Sequence, residues 1–531
     1  MIMKAQKQAG ILIALYFCTL LTSCNDFLEK APLSQVSMET FWTSEEQAEM
    51  WVNNLYSFGG ASMNGLGGVH VTTQEAYSDN AYGRATDALN NIANGTFQPN
   101  DARVENAWNY TNIRLCHEFF GNIDRVPGLS ESKRKELTGQ VKFFLAYEYF
   151  KLITRFRDVP LITKVVSIAE SDVSVTPKAQ VLEYLLQQLD EAIEALPLTW
   201  PENQTGKITK GAALFLKTRV LLYNERWSEA AAAAAQVMDL GIYSLHPRFN
   251  ELYLTAFNNR KNGVILELQY VENVKTHDIS LRFAPVLYNA HALILPSPEL
   301  VSSFEMIDGY SITESPLYDP KKPFDNRDPR FYDTFLWHGQ TLNETYPPLD
   351  LTGTEANFAF TYMYFKKGIV DFRNRFRPMH LNWNLFRYAD LLLMYAEARN
   401  EASGPDESVY QALDQVRLRA GMPPADRQRY PDQSALRNFI RNERRVELAG
   451  EGLRYDDIVR WKIADKVLNV QLKSMDLSQW EDGPKKPDGS PFLVEKNVQV
   501  RTFDPARHYV WPIPQSAIDQ STKLEQHPEW K

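Results

Sequence analysis

The chain has 531 residues, 44% hydrophobic and 23% charged; this balance excludes a largely disordered polymer, and the length calls for two lobes or a repeat architecture. Its 57 basic residues are outnumbered by 66 acidic ones, for a net charge of -9 at pH 7. A surface of that sign repels phosphate, which argues against nucleic acid as a partner. Three cysteines, Cys18, Cys24 and Cys116, with no CxxC pair, support neither a disulfide framework nor a Cys-based zinc site.

The elements begin with a basic start, Lys4 and Lys7, and an apolar run from Ile11 to Leu21. That run is too short to span a bilayer core of about 30 Å as a helix, but it suits the centre of a signal peptide. Leu21-Thr22-Ser23-Cys24 resembles the lipobox of bacterial lipoproteins, in which small residues admit the signal peptidase and the cysteine thiol is acylated. Residues 1–23 are therefore expected to be removed, leaving Cys24 as the lipidation site and Cys116 as the remaining thiol. Acyl chains anchor durably because each buried CH2 adds about 0.8 kcal/mol. The rest of the chain is expected to be soluble and tethered.

Downstream the pattern is helical. Glu45 and Glu46 favour the positive end of a helix carrying Ala48, Trp51, Val52, Leu55 and Tyr56 at helical spacing. Further helices are expected over 104–123, 133–156 and 178–196. The segment 209–223 is apolar almost all round, as a helix buried between neighbours would be. Trp227 and Ser228 follow it, with Ser228 as a cap for a helix holding Ala230 to Ala235 and ending at Gly241. A bulky helix, a Trp-bearing turn and a small-residue helix make a tetratricopeptide-like hairpin, a unit that buries itself only by stacking in series. The segments 385–402 and 407–420, separated by Gly404-Pro405 and closed by Gly421, repeat the scheme.

Between 257 and 380 the helical pattern lapses: 264–270 reads as a strand, and prolines become frequent. A glycine-rich stretch, Gly59 to Gly68, interrupts the first third in a similar way. Long ordered loops on a rigid frame are where binding surfaces usually sit. The fold class is therefore mainly α, a scaffold of about four tetratricopeptide-like hairpins with irregular loops and short strands inserted. The expected divisions are 24–256 and 381–531 for the helical regions, and 257–380 for an irregular, ligand-binding insertion.

Compact catalytic motifs are missing. His117-Glu118 has Gly121 where a zincin helix needs a second histidine. Gly206-Lys207 is followed by Ile208, so there is no Walker loop, and no GxSxG elbow occurs. Neither a metal site nor a cofactor is expected. Glu443 and Glu447, one turn apart, are the most tempting acid pair for glycoside hydrolysis. They share a face with Leu436 and Ile440, however, and Arg444, Arg445 and Arg454 stand close in sequence. A structural ion network is the expected role, since buried charges persist when paired.

Taken in order, several fragments resemble the SusD/RagB family of outer-membrane lipoproteins of Bacteroidetes. They are Cys24-Asn25-Asp26-Phe27-Leu28, Gly206-Lys207-Ile208-Thr209-Lys210-Gly211-Ala212-Ala213, Asn326-Arg327-Asp328-Pro329-Arg330-Phe331 and Arg387-Tyr388-Ala389-Asp390-Leu391. Glu443-Arg444-Arg445-Val446-Glu447-Leu448, Gly452-Leu453-Arg454-Tyr455-Asp456 and Trp511-Pro512-Ile513-Pro514 complete the set. The tail departs from the family, with Gln520 to Lys523 and His527 to Trp530 where asparagine and glycine are common. The resemblance implies a tetratricopeptide-like scaffold at the cell exterior, held to the outer membrane by lipid. It further implies a non-catalytic role: binding a glycan or peptide for a SusC-like TonB-dependent transporter. The matching motifs lie in the scaffold, so no ligand residue is carried over.

Sugar sites pair aromatic faces with a few fixed polar groups. Helix-borne Trp51, Trp108, Trp227, Trp383 and Trp461 read as core. Loop-borne Tyr77, Tyr82, Tyr288, Trp337, Tyr362 and Tyr364 read as ligand-binding rings, with Asp79, Asn80 and Arg84 supplying polar contacts. On this reading Trp337→Ala and Tyr82→Ala weaken oligosaccharide binding and spare the melting temperature. The competing reading is a surface-attached glycoside hydrolase.

Overall fold

The computed structural model describes residues 41–57, 73–84, 90–258, 262–369 and 379–531. The signal segment, Cys24 and the stretch Gly59 to Gly68 lie outside them. The scaffold is built from α1 (Glu45–Ser57), α2 (Ala102–Ala107), α3 (Thr111–Asn122), α4 (Glu131–Phe156), α5 (Lys178–Ala195), α6 (Lys210–Tyr223) and α7 (Trp227–Asp239), then α8 (Tyr388–Ser403), α9 (Glu407–Arg419), α10 (Gln433–Glu447) and α11 (Arg454–Arg460). Helices pair as hairpins, α4 with α5, α6 with α7 and α8 with α9, while α7 and α10 both lean on α8. This is the expected tetratricopeptide-like frame.

Local chemistry explains the starts and stops. Ser130 Oγ accepts the Lys133 N–H at 3.2 Å, Thr209 Oγ1 accepts that of Ala212 at 3.2 Å, and Asp432 Oδ1 accepts those of Ser434 and Ala435 at 2.9 Å. Each such cap is worth about 1 kcal/mol. Gly241 and Gly421 take positive φ, 67° and 80°, behind α7 and α9. Nearly every residue of α6 is buried, and a Cβ at Gly211 would collide with Tyr243. Ala230, Ala231, Ala233 and Ala234 are buried on α7, where small side chains let α6 and α8 approach.

Three expectations need correction. The helix over 104–123 is two helices: Trp108 adopts a non-helical φ/ψ of -85°/64°, and the Asn109 side chain then takes the Thr111 N–H at 2.8 Å, an Asx turn that restarts the chain. Helix α7 opens at Trp227 with Arg226 in the cap position, so Ser228 lies inside its first turn. Residues 385–387 are strand, because their apolar run pairs with another strand before α8 begins. Of the tryptophans read as core, Trp383 and Trp461 are buried, whereas Trp51, Trp108 and Trp227 are half-buried at its edge.

The strands form four antiparallel pairs: β1 (Ala81–Gly83) with β3 (Ile294–Pro296), β2 (Val264–Leu268) with β6 (Trp383–Arg387), β4 (Phe335–Leu336) with β5 (Tyr364–Phe365), and β7 (Gln471–Lys473) with β8 (Asn497–Val500). One large apolar core runs through α1 to α10 and takes in Trp511 and Trp530. A second gathers Phe283, Phe304, Phe331, Phe335, Tyr364 and Phe365 of the insertion with Val446 and Ala449 from the end of α10.

Buried ion pairs join the two. Glu443 accepts from Arg330 at 2.6 Å and Arg417 at 2.8 Å. Glu447 accepts from Arg330 at 3.0 Å, Arg387 at 2.9 Å and Arg419 at 2.6 Å. Glu451 takes Arg387 at 2.6 Å and Lys367 at 2.7 Å. The carboxylates are paired and buried as expected, but with different partners: Arg444 serves Asp390 and Asp457, and Arg445 and Arg454 serve Asp79. Arg444 and Arg445 sit between the two glutamates but project from other faces of α10, Arg454 lies on α11, and the arginines that do pair are brought in by the fold. Burial alone would raise Glu443 and Glu447, but the surrounding arginines outweigh it and hold both below the usual carboxylate range.

Two outcomes follow from this network. Glu447→Ala strands three buried arginines and is expected to cost about 3–5 kcal/mol in chemical denaturation. The acid side carries the second. A carboxyl with a depressed folded pKa adds stability above its unfolded value, about 4.3, and loses it as pH falls through the folded one. Glu305, raised by burial to about 7, adds the opposite slope between there and the unfolded value. The melting temperature is thus expected to drop only below about pH 4.3, and to drop less steeply in Glu447→Gln.

Candidate functional site

The segment 73–84 positions most of the residues singled out in the sequence. It enters as a short helical turn, Glu75–Tyr77, and continues into β1, whose Tyr82 sits opposite Leu295 of β3. The polar residues of this segment face inward. Glu75 accepts Asn80 Nδ2 at 2.7 Å and the N–H groups of Gly450 and Gly452 at 3.0 and 2.8 Å. Asp79 holds Arg454 through both oxygens at 2.8 and 2.9 Å, and Arg445 at 3.0 Å. Burial pushes the Asp79 carboxyl up, but Arg445, Arg454 and Arg501 overcome it and keep it ionised. Asn80 is 1% exposed and accepts Arg445 Nε at 2.7 Å.

The rings separate into two groups. Tyr77, Tyr288, Trp337, Tyr362 and Tyr364 are buried rather than facing solvent. The apolar area of a ring outweighs the preference of a loop for water, so the insertion uses them to build its own core. The Trp337 ring packs tilted against Phe324 at 4.7 Å and Phe331 at 5.5 Å. Tyr288 donates to the Pro347 carbonyl at 2.9 Å, Tyr362 to that of Val494 at 2.9 Å, and Tyr364 to Glu355. Tyr77 takes the Arg103 guanidinium at 2.7 Å.

Tyr82 and Arg84 are different: both are half-buried at the rim. The Tyr82 ring lies 5.4 Å from Phe360, tilted by 50°. The Arg84 guanidinium lies over the Phe358 ring at 4.8 Å and is held there by the carbonyls of Ala292, at 2.8 Å, and His291. Lys496, exposed, stands 5.7 Å from Phe360 and 4.8 Å from Tyr362. These groups form one rim of rings and cations. Phe358, Phe360 and Lys496 escaped the sequence reading: the chain turns at these rings, with the Phe360 N–H on the Phe358 carbonyl at 2.9 Å, so no strand alternation marks them. Among the described residues no group of His, Cys, Asp or Glu is placed to hold a metal ion, and no helix is long and apolar enough to cross a membrane.

The SusD family profile matches residues 262–530, just over half of the sequence. The chain belongs to the SusD family. A second profile, described as starch-binding and associating with the outer membrane, matches residues 26–222. Two crystal structures of SusD-like proteins from Bacteroides fragilis superimpose with a TM-score of 0.80 each; one, called a carbohydrate-binding protein, is 25% identical and covers 92% of this chain and 100% of its own, and the other is 26% identical over 94% and 100%. The SusD-like protein P25 of Formosa agariphila is 24% identical over 87% of this chain and 90% of its own. Membership in the SusD family carries with it pairing with a SusC-like transporter and an outer-membrane location.

Burial also revises what a change at Trp337 does in this SusD-family fold. Its indole is 7% exposed within an aromatic cluster, so Trp337→Ala is expected to cost about 3–5 kcal/mol of stability and to lower the melting temperature measured by calorimetry. The earlier expectation of an unchanged melting temperature is kept for Tyr82→Ala alone.

Proposed function

We propose that this protein is a non-catalytic receptor that captures oligosaccharide at the cell surface and delivers it to a SusC-like TonB-dependent transporter, tethered by lipid on Cys24. Family membership supports the class of activity, as does the description of a similar solved protein, 24% identical, as laminarin-binding. The observation that carries the placement is the rim of Tyr82, Phe360, Phe358 and Arg84. The axial C–H face of a sugar ring covers an aromatic face, and its hydroxyls need partners fixed in place. Arg84 is pinned by two carbonyls and Tyr82 by β1, so neither has to be ordered at the moment of binding, which favours affinity.

Of the residues named from sequence, Tyr82 and Arg84 are the ones this reading places against ligand. Asp79 and Asn80 act as positioning residues that fix β1, and Tyr288, Tyr362 and Tyr364 as the floor beneath it. The hydrolase alternative fits poorly, because Glu443 and Glu447 are locked by arginines and a depressed pKa makes a poor general acid.

Calorimetry against a panel of neutral and acidic oligosaccharides tests the reading. Saturable binding without hydrolysis products is expected, and Tyr82→Ala and Phe360→Ala should each weaken it about five- to thirtyfold, in line with a lost aromatic contact near 1–2 kcal/mol. Turnover of any glycan, or affinity unchanged in both variants, would overturn it.

A further inference from the structure

A cleft of about 270 Å³ opens between the scaffold and the start of the segment 73–84, away from the rim. One stripe of α4 lines it with Tyr147, Lys151 and Arg155, and Arg219 and Tyr223, one turn apart on α6, line it as well. Tyr77 of the segment 73–84 closes one side, and Asn106 at the end of α2 stands among its walls. Its volume falls just below the roughly 300–1,000 Å³ of sites that engulf drug-sized ligands, which leaves room for one or two sugar rings and no more.

The electrostatics of the cleft narrow the occupant. Lys151 is paired with Glu148 at 2.6 Å, Arg155 with Asp456, and Arg219 with Asp390 at 2.5 Å. An ionic ligand would find these countercharges already taken and would lose its hydration for little return. Hydrogen-bonding capacity is nevertheless left over. The Asn106 amide and the Tyr223 hydroxyl have no hydrogen-bond partner among the described residues, and the Tyr77 hydroxyl, which accepts Arg103, keeps its own proton to give. Aromatic surface from Tyr147, Phe150 and Trp511 lies between these groups. Donors and acceptors on both walls and apolar ring surface, with Lys151, Arg155 and Arg219 already paired, match an uncharged polyhydroxylated ring.

We infer that this cleft is a second site, binding a neutral mono- or disaccharide independently of the rim. The inference rests on the carbohydrate-binding reading for its ligand class and adds to it a pocket that admits short sugars and chain ends. Such a site would let the protein hold cargo at two points, which raises avidity without any new contact at the rim.

The test uses the purified mature chain with glucose, galactose, mannose, maltose, cellobiose and laminaribiose as probes, followed by saturation-transfer NMR and calorimetry. At least one probe is expected to bind. Tyr223→Phe, which keeps the ring, and Asn106→Ala, which removes an exposed amide, should each weaken that probe about three- to tenfold, while Tyr82→Ala leaves it unchanged. If longer oligosaccharides bind in a Tyr82-dependent way but no short probe does, or if Tyr223→Phe and Asn106→Ala bind it as the parent does, the cleft proposal is overturned and the receptor reading stands. If no sugar of any length binds, both fall. Preference for a charged probe such as dialanine over every sugar would also overturn the cleft's assignment.

Discussion

The end of α10 is where the two halves of this molecule meet, and they meet through charge. Leu436 and Ile440 seat the first turns of the helix in the scaffold core, Val446 belongs to the core of the insertion, and between them Glu443 and Glu447 gather four arginines from three separate elements. Apolar packing alone would tolerate sliding between the two cores, since dispersion is non-directional. A carboxylate shared by two or three guanidiniums tolerates little, because each bond depends on direction and an unpaired buried charge is expensive. The network therefore contributes register more than net stability.

A second ionic knot transmits that register outward. Asp390 of α8 ties Arg219 of α6 to Arg444 of α10, and Arg444 continues to Asp457 on α11. Arg445 and Arg454, from α10 and α11, converge on Asp79, and Arg501 donates to the carbonyls of Ser78 and Ala81 at 2.6 Å. The short strand β1 would be marginal by itself. It is held because its backbone, and the carboxylates of Glu75 and Asp79 just before it, are bolted to the rest of the chain. Tyr82 and Arg84 at the rim and Tyr77 at the cleft are thus placed by residues nearly four hundred positions away along the chain.

What the sequence could reveal divides along the same line. Most of the helix periodicity, the closing glycines Gly241 and Gly421 and the small-residue face of α7 are local and read correctly, because the 3.6-residue repeat and alanine's size act within one turn; the break at Trp108 and the start of α7 did not. The acid pair on α10 was legible as buried and paired, since Leu436, Ile440, Glu443 and Glu447 share a face. Its partners were not, because Arg330, Arg387 and Arg417 arrive through long connections that no local pattern encodes. The loop rings misled for a related reason: Trp337, Tyr288 and Tyr364 lie in segments rich in turns and read as exposed, yet a chain of this length between two helical regions must bury something of its own. Tyr82 and Trp337 look alike in sequence; only the partner across β3 for one and the Phe324–Phe331 cluster for the other separate them.

That division has a physical consequence for how such a receptor changes its ligand. The carboxylates of the ionic knots each hold two or more cations, so substitution there is punished by buried, unpaired charge. Phe358, Phe360, Arg84 and Lys496 are attached at one side only, to backbone carbonyls or to one another's faces. On the proposed reading, exchange of a ring or cation at the rim removes a contact with ligand and leaves the network below intact, because surface changes away from buried charge usually stay within about 0.5 kcal/mol. The same frame can therefore present different rims without refolding, and ligand choice is free to vary where stability is not at stake.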